Sequence, residues 1–179
     1  MLTQTPVAVE SGLCSRYLCS KSECGLCSQV CPADAVQIGS GGAQVSDACI
    51  ACGACVSACP NGAIEMKGSA PADFNGGFDP ALATDRQWGL KFRLLLETRP
   101  SRILKLTCSR AADRAASDAV FVCLGRLTVP IILESFRRGA ERVEILKPSC
   151  EGCRMQKAGC GVETTVEQAM RVMKFAGIE

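Results

Sequence analysis

Residues 24 to 59 constrain this chain more than any other stretch. They open with Cys24-Gly-Leu-Cys27-Ser-Gln-Val-Cys31-Pro32 and close with Cys49-Ile-Ala-Cys52-Gly-Ala-Cys55-Val-Ser-Ala-Cys59-Pro60. The second run is a full C-x2-C-x2-C-x3-C-P pattern, the spacing that wraps a [4Fe–4S] cube. Thiolates two residues apart can turn inward round one small inorganic core. The fourth cysteine, followed by proline, leaves its loop and reaches across to the other cluster. The first run repeats the pattern with its leading cysteine displaced. A lone CxxC is ambiguous; two tandem runs, each ending in Cys-Pro, are not.

Two other uses of cysteine fit less well. The sequence begins Met-Leu-Thr-Gln-Thr-Pro, with neither a basic n-region nor an apolar h-region, so no export signal is expected. A disulfide framework needs an oxidising compartment. Four-cysteine zinc sites pair two CxxC units, whereas each run here holds three close cysteines and a Cys-Pro. The expectation is a reducing, cytoplasmic setting in which thiols ligate metal.

Residues 14 to 66 resemble the bacterial two-cluster ferredoxins. The resemblance implies two [4Fe–4S] clusters. One would take Cys49, Cys52, Cys55 and Cys31. The other would take Cys24, Cys27, Cys59 and one upstream cysteine. The usual spacing places that ligand at position 21, which is Lys21 here. Cys19 needs the smaller insertion. Cys14 fits the resemblance to ferredoxin-like chains with a lone cysteine farther upstream. Both stay candidates, and the site is either a complete cube on a looser loop or a more labile one.

Composition sets the outer bounds. At 179 residues the chain has room for one or two small domains. Hydrophobic residues make up 47%, but aromatics only 4%, which suggests that clusters replace part of a core. Histidine is absent, removing the commonest acid–base group and excluding a Rieske-type centre. The net charge of +2, with no basic stripe interleaved with aromatics, argues against nucleic-acid binding. No apolar run approaches eighteen residues, so no membrane span is expected. Neither a P-loop nor a dinucleotide fingerprint occurs.

Taken in order, residues 1–66 read as the two-cluster domain, with residues 1–13 an extended lead-in. Each half of the repeat runs from cysteine loop to Cys-Pro, a short turn and an apolar strand. Val36/Ile38 and Ile64/Met66 alternate with polar neighbours as half-buried strands do. Gly53 and Ala54 are small enough to bring backbone amides to cluster sulfur, which raises a reduction potential. Residues 67–100 read as a linker, rich in glycine and proline, with a short helix over 87–98 carrying Trp88, Phe92, Leu95 and Leu96. Residues 101–179 read as a small α/β domain. Strands are expected at 102–107, 119–123 and 142–146. A helix capped by Thr128 should stop at Gly139, and an amphipathic helix should span Glu163 to Ala176. The fold class is thus an α+β ferredoxin-like domain followed by a small α/β domain with a parallel sheet.

On that scheme Cys108, Cys123, Cys150 and Cys153 all follow strands. They gather at the carboxyl edge of the sheet, where α/β proteins place ligand sites. The stretch also resembles the small iron–sulfur delta subunit of methyl-viologen-reducing hydrogenases, which passes electrons to heterodisulfide reductase. The matching residues are Phe121-Val-Cys123-Leu-Gly-Arg126, Ile132 to Val143, and Cys150-Glu-Gly-Cys153. In that family such cysteines hold a [2Fe–2S] cluster. Here the family's paired cysteines ahead of the first strand are missing, and Cys108 stands alone. A [2Fe–2S] cluster, redox-active thiols and a domain kept for docking are the three readings. Cys160 reads as a spare thiol. Arg126, Arg137 and Arg138 read as solvated charges that could instead steer an acidic partner.

No constellation for bond-making catalysis is visible, so the expectation is an electron carrier rather than an enzyme. Its partner would be a protein, either an oxidoreductase or the subunits of a hydrogenase or dehydrogenase. The alternative is an iron–sulfur assembly or redox-sensing accessory protein for a metalloenzyme such as a formate dehydrogenase or hydrogenase. A third possibility is a disulfide-exchanging enzyme that uses the C-terminal thiols.

Overall fold

The computed structural model describes residues 6–66, 101–112 and 114–178. The expected linker and its helix, with Trp88, Phe92, Leu95 and Leu96, lie outside the described residues.

In the N-terminal part, β1 (Val7–Val9) pairs antiparallel with β4 (Ile64–Met66), and Val7 stands opposite Met66. The residues read as a lead-in therefore clamp the two ends of the repeat together. Alternation along Val7-Ala-Val9 is too short to reveal a strand without its partner. A hairpin of β2 (Val36–Gly39) and β3 (Gly42–Val45) turns through Ser40 and Gly41. Gly42 has φ +93, and a Cβ there would stand 3.3 Å from Tyr17 Cβ and rest against the Cys14 thiol. Three short helices complete the unit: α1 (Ser15–Leu18), α2 (Leu26–Gln29) and α3 (Ala54–Ala58).

The internal repeat is visible in the backbone. The amide of Ala35 donates to Cys31 Sγ at 3.3 Å, and that of Ala63 donates to Cys59 Sγ at 3.3 Å. One residue earlier, Asp34 (φ 47) and Gly62 (φ 63) both take the left-handed conformation. The core of this half consists of Val7, Ala35, Val36, Ala43 and Ile64 together with the thiols of Cys27, Cys31 and Cys55. It contains no aromatic ring.

The C-terminal part is a three-stranded parallel sheet in the order β6-β5-β7, with β5 (Ile103–Cys108) between β6 (Ala119–Phe121) and β7 (Arg142–Leu146). α4 (Val129–Arg137) links β6 to β7, so the chain crosses over β5. Its cap is the expected one: Thr128 Oγ1 accepts from the Ile131 amide, Pro130 sits in the first turn, and Gly139 beyond the end has φ +100. The short α5 (Gln156–Gly159) and the longer α6 (Val162–Phe175) follow. Leu104, Leu106, Phe121, Leu127, Ile132, Val162 and Ala169 form one apolar core. Each large side chain among them contributes about 1.5–3 kcal/mol by leaving water. Two buried hydroxyls are satisfied, Thr107 by the Leu146 carbonyl at 2.8 Å and Ser135 by the Ile131 carbonyl at 2.9 Å.

The two parts touch through α3 and the 3-10 turn Leu124–Arg126. Ser57 Oγ donates to the Gly125 carbonyl at 2.5 Å, and Lys157 pairs with Asp34 at 3.1 Å. Gly125 has no room for a side chain, because a Cβ would stand 2.0 Å from the Ala158 carbonyl oxygen. No helix among the described residues is long and apolar enough to cross a membrane.

Candidate iron–sulfur sites

All fourteen cysteines are free thiols, and thirteen of them had been singled out as candidate ligands. The structure sorts twelve of the fourteen into three sets of four.

Cys14, Cys24, Cys27 and Cys59 line one pocket, together with Arg16, Leu26 and Pro60. Cys14 arrives there as the residue that opens α1, held over β3. Burial pushes its thiol up, but the amides of Ala43, Tyr17 and Arg16 and the Arg16 guanidinium outweigh this and leave it below the ordinary value. A lowered thiol suits a metal ligand. The Arg16 guanidinium also donates to the Ser22 carbonyl, closing the loop ahead of Cys24. Cys19 is exposed and does not line the pocket.

Cys31, Cys49, Cys52 and Cys55 form the second set. Burial raises the Cys52 and Cys55 thiols, Cys55 to about 12, and the other thiols of the set add to this by charge repulsion. Cys31, Cys49 and Cys52 thus lie near Cys55, as does Cys27 of the first set. The amide of Ala54 bonds to Cys52, in line with small residues between the ligands. Cys52 and Cys55 are each 7% exposed, whereas Cys14, Cys24 and Cys59 are half-buried, so the second set is the drier one.

The third set is Cys108, Cys123, Cys150 and Cys153. Cys108 ends β5, Cys123 follows β6, and the other two follow β7, so they meet at the carboxyl edge of the sheet. All four line one pocket, similar in size to that of the first set. Burial raises Cys123 to about 11. The amides of Gly125 and Met155 donate to Cys123 Sγ at 3.4 Å and Cys153 Sγ at 3.3 Å. Gly159 walls the pocket, and a Cβ there would stand 2.9 Å from Cys150 Sγ. Cys160 lies outside, exposed, at the end of α5. Among the described residues, no three His, Cys, Asp or Glu side chains gather tightly enough for a single metal ion. The thiols of the first and third sets line the walls of their pockets.

The second and third sets adjoin. Cys52, Ala54, Cys123, Met155 and Ala158 form one buried cluster. Over the same junction lies Arg126, and here the expectation of a solvated charge fails: Arg126 is 1% exposed. Its aliphatic stem lies on Gly53, where a Cβ would come within 2.6 Å of Cγ and Cδ. Gly53, at φ +75, is therefore favoured by its conformation and by this contact. The sequence held a sign of this burial: Arg126 is the only charged residue between Asp118 and Glu134. Arg137 does sit toward solvent while Arg138 is half-buried, and both pair with Glu134, whose carboxyl they hold down at about 2.

Comparison with known families agrees with the N-terminal geometry. A family described as 4Fe-4S dicluster domain matches residues 18–64, and a second family of the same description matches residues 48–93. No curated protein and no solved structure matches the chain. The two family matches support a ferredoxin-like N-terminal part, [4Fe–4S] clusters and a role in iron–sulfur electron transfer.

Proposed function

We propose that the chain is a three-centre electron relay. Two [4Fe–4S] clusters would be held by Cys14, Cys24, Cys27 and Cys59 and by Cys31, Cys49, Cys52 and Cys55. A [2Fe–2S] cluster would be held by Cys108, Cys123, Cys150 and Cys153. The clusters supply one-electron chemistry when bound, and the protein supplies ligands, dryness and spacing. One observation carries the reading: Cys52 of the second set and Cys123 of the third belong to the same buried cluster. A wire needs its centres close, with no water between them. The thiols fit such groups, being four to a set, sheltered, and joined by amide N–H···S bonds. The resemblance of residues 101–160 to the hydrogenase delta subunit supports [2Fe–2S] for the third set.

The half-buried first set is the end at which an electron enters or leaves through a protein partner, an oxidoreductase or a hydrogenase or dehydrogenase subunit. The third set is the other end. Domains at 1–66 and 101–179, joined by 67–100, fit this division. EPR of the dithionite-reduced protein, purified without oxygen, tests the reading. A [2Fe–2S] signal beside the [4Fe–4S] signals, lost in Cys123→Ser, supports it, as does rapid reversible reduction by a viologen. Loss of clusters on mild oxidation, with tight binding of an apo-enzyme, would favour the assembly or sensing role instead.

A further inference from the structure

Arg126 carries a charge that nothing in the relay so far uses. A guanidinium stays protonated at any pH the protein meets. Here it is buried to 1% exposure, and its stem lies on Gly53, between Cys52 and Cys55. The turn that presents it, Leu124–Arg126, is fixed on both sides. Ser57 of α3 holds the Gly125 carbonyl at 2.5 Å, and Gly125 is pressed on Ala158. The C-terminal part thus delivers a permanent cation to a ligand loop of the N-terminal part.

We propose that Arg126 is a positioning residue that raises the reduction potential of the centre held by Cys31, Cys49, Cys52 and Cys55, so that electrons collect at the junction. The inference rests on the reading of those four cysteines as ligands. When that centre accepts one electron from a donor it gains one unit of negative charge and takes up no proton. A fixed cation beside it favours the more negative state. Away from water the interaction is screened little, and it weakens with distance. The first set, across the N-terminal half, feels it least. The resulting order of potentials draws an electron from the first set toward the third. It also makes the potential depend on docking of the two parts, because the charge and the ligands belong to different parts.

The test is an EPR-monitored redox titration of the whole protein, with the first centre assigned by Cys24→Ser. Arg126→Met keeps bulk and removes charge. It should move the midpoint of the second centre negative and leave the first unmoved. Arg126→Lys should restore the wild-type midpoint. Ser57→Ala loosens the same junction without changing charge and should move the second midpoint less than Arg126→Met does, and the first not at all. An unmoved midpoint in Arg126→Met at full iron content overturns the proposal. So does an equal or larger shift in Ser57→Ala. If Arg126→Met does not retain iron, Arg126→Lys and Arg126→Gln decide. Iron kept by Lys and lost by Gln supports the charge; iron lost by both overturns it. Iron content separates this inference from the reading beneath it. If Cys52→Ser loses no iron, the ligand assignment falls; if iron is in place and the midpoints stand still, only the role of Arg126 falls.

Discussion

The two parts of the molecule solve the same packing problem with opposite materials. The C-terminal sheet buries leucines and a phenylalanine and keeps its thiols at one edge, where Cys108 only packs against the margin of that core. The N-terminal half buries valines, alanines and one isoleucine, and places its thiols inside the core. One part has a core that stands without its site; the other has a core of which the site is a part. Small domains that bury little apolar surface need such a staple.

The sharpest way to break this contrast is to take the metal away. Chelation under anaerobic conditions should unfold β1 to β4 and leave β5, β6 and β7 in place. Hydrogen exchange would show protection lost over 7–66 and kept over 103–146. Uniform loss would mean that the parts share one core. The reverse experiment is Leu106→Ala. Leu106 is fully buried, so the substitution should cost about 2–5 kcal/mol and lower the melting temperature of the sheet. Iron at the first set should survive it.

A third substitution pair sharpens the account of the first set. Cys14→Ser should remove about 4 iron atoms per chain, the content of one cube, whereas Cys19→Ser should remove none. Equal losses would mean that α1 does not hold Cys14 at the site. A smaller effect concerns pH. Burial raises the thiols of Cys55, Cys123, Cys27 and Cys52, so in the iron-free fold they keep protons that the unfolded chain releases. The iron-free fold therefore keeps its stability below pH 9, the ordinary thiol value, and loses it as pH rises toward 11 and 12, the Cys123 and Cys55 values. Metal must displace those protons, so reconstitution with iron and sulfide should strengthen from pH 7 to 9. A flat pH profile would mean that these thiols are not the ones loaded.

Much of this was legible in the sequence because ligand spacing is a local property. Thiols two residues apart meet on one loop whatever the rest of the chain does. The helix from Thr128 to Gly139 was legible for the same reason, since its cap, proline and stop are neighbours in sequence. β1 was not legible, because its pairing with β4 spans the whole repeat. The spacing could not choose between Cys14 and Cys19, because a loop of free length precedes Cys24; only the packing of α1 on β3 separates them. Arg126 was misread because charge usually seeks water, and its burial depends on a loop more than sixty residues away.

The most direct test of the account is iron and acid-labile sulfide per chain, measured on anaerobically purified wild type and Cys123→Ser. Three centres predict about 10 iron atoms, falling to about 8 in the variant. A wild-type value of about 8 that the variant leaves unchanged would contradict the third centre and end the relay at the junction.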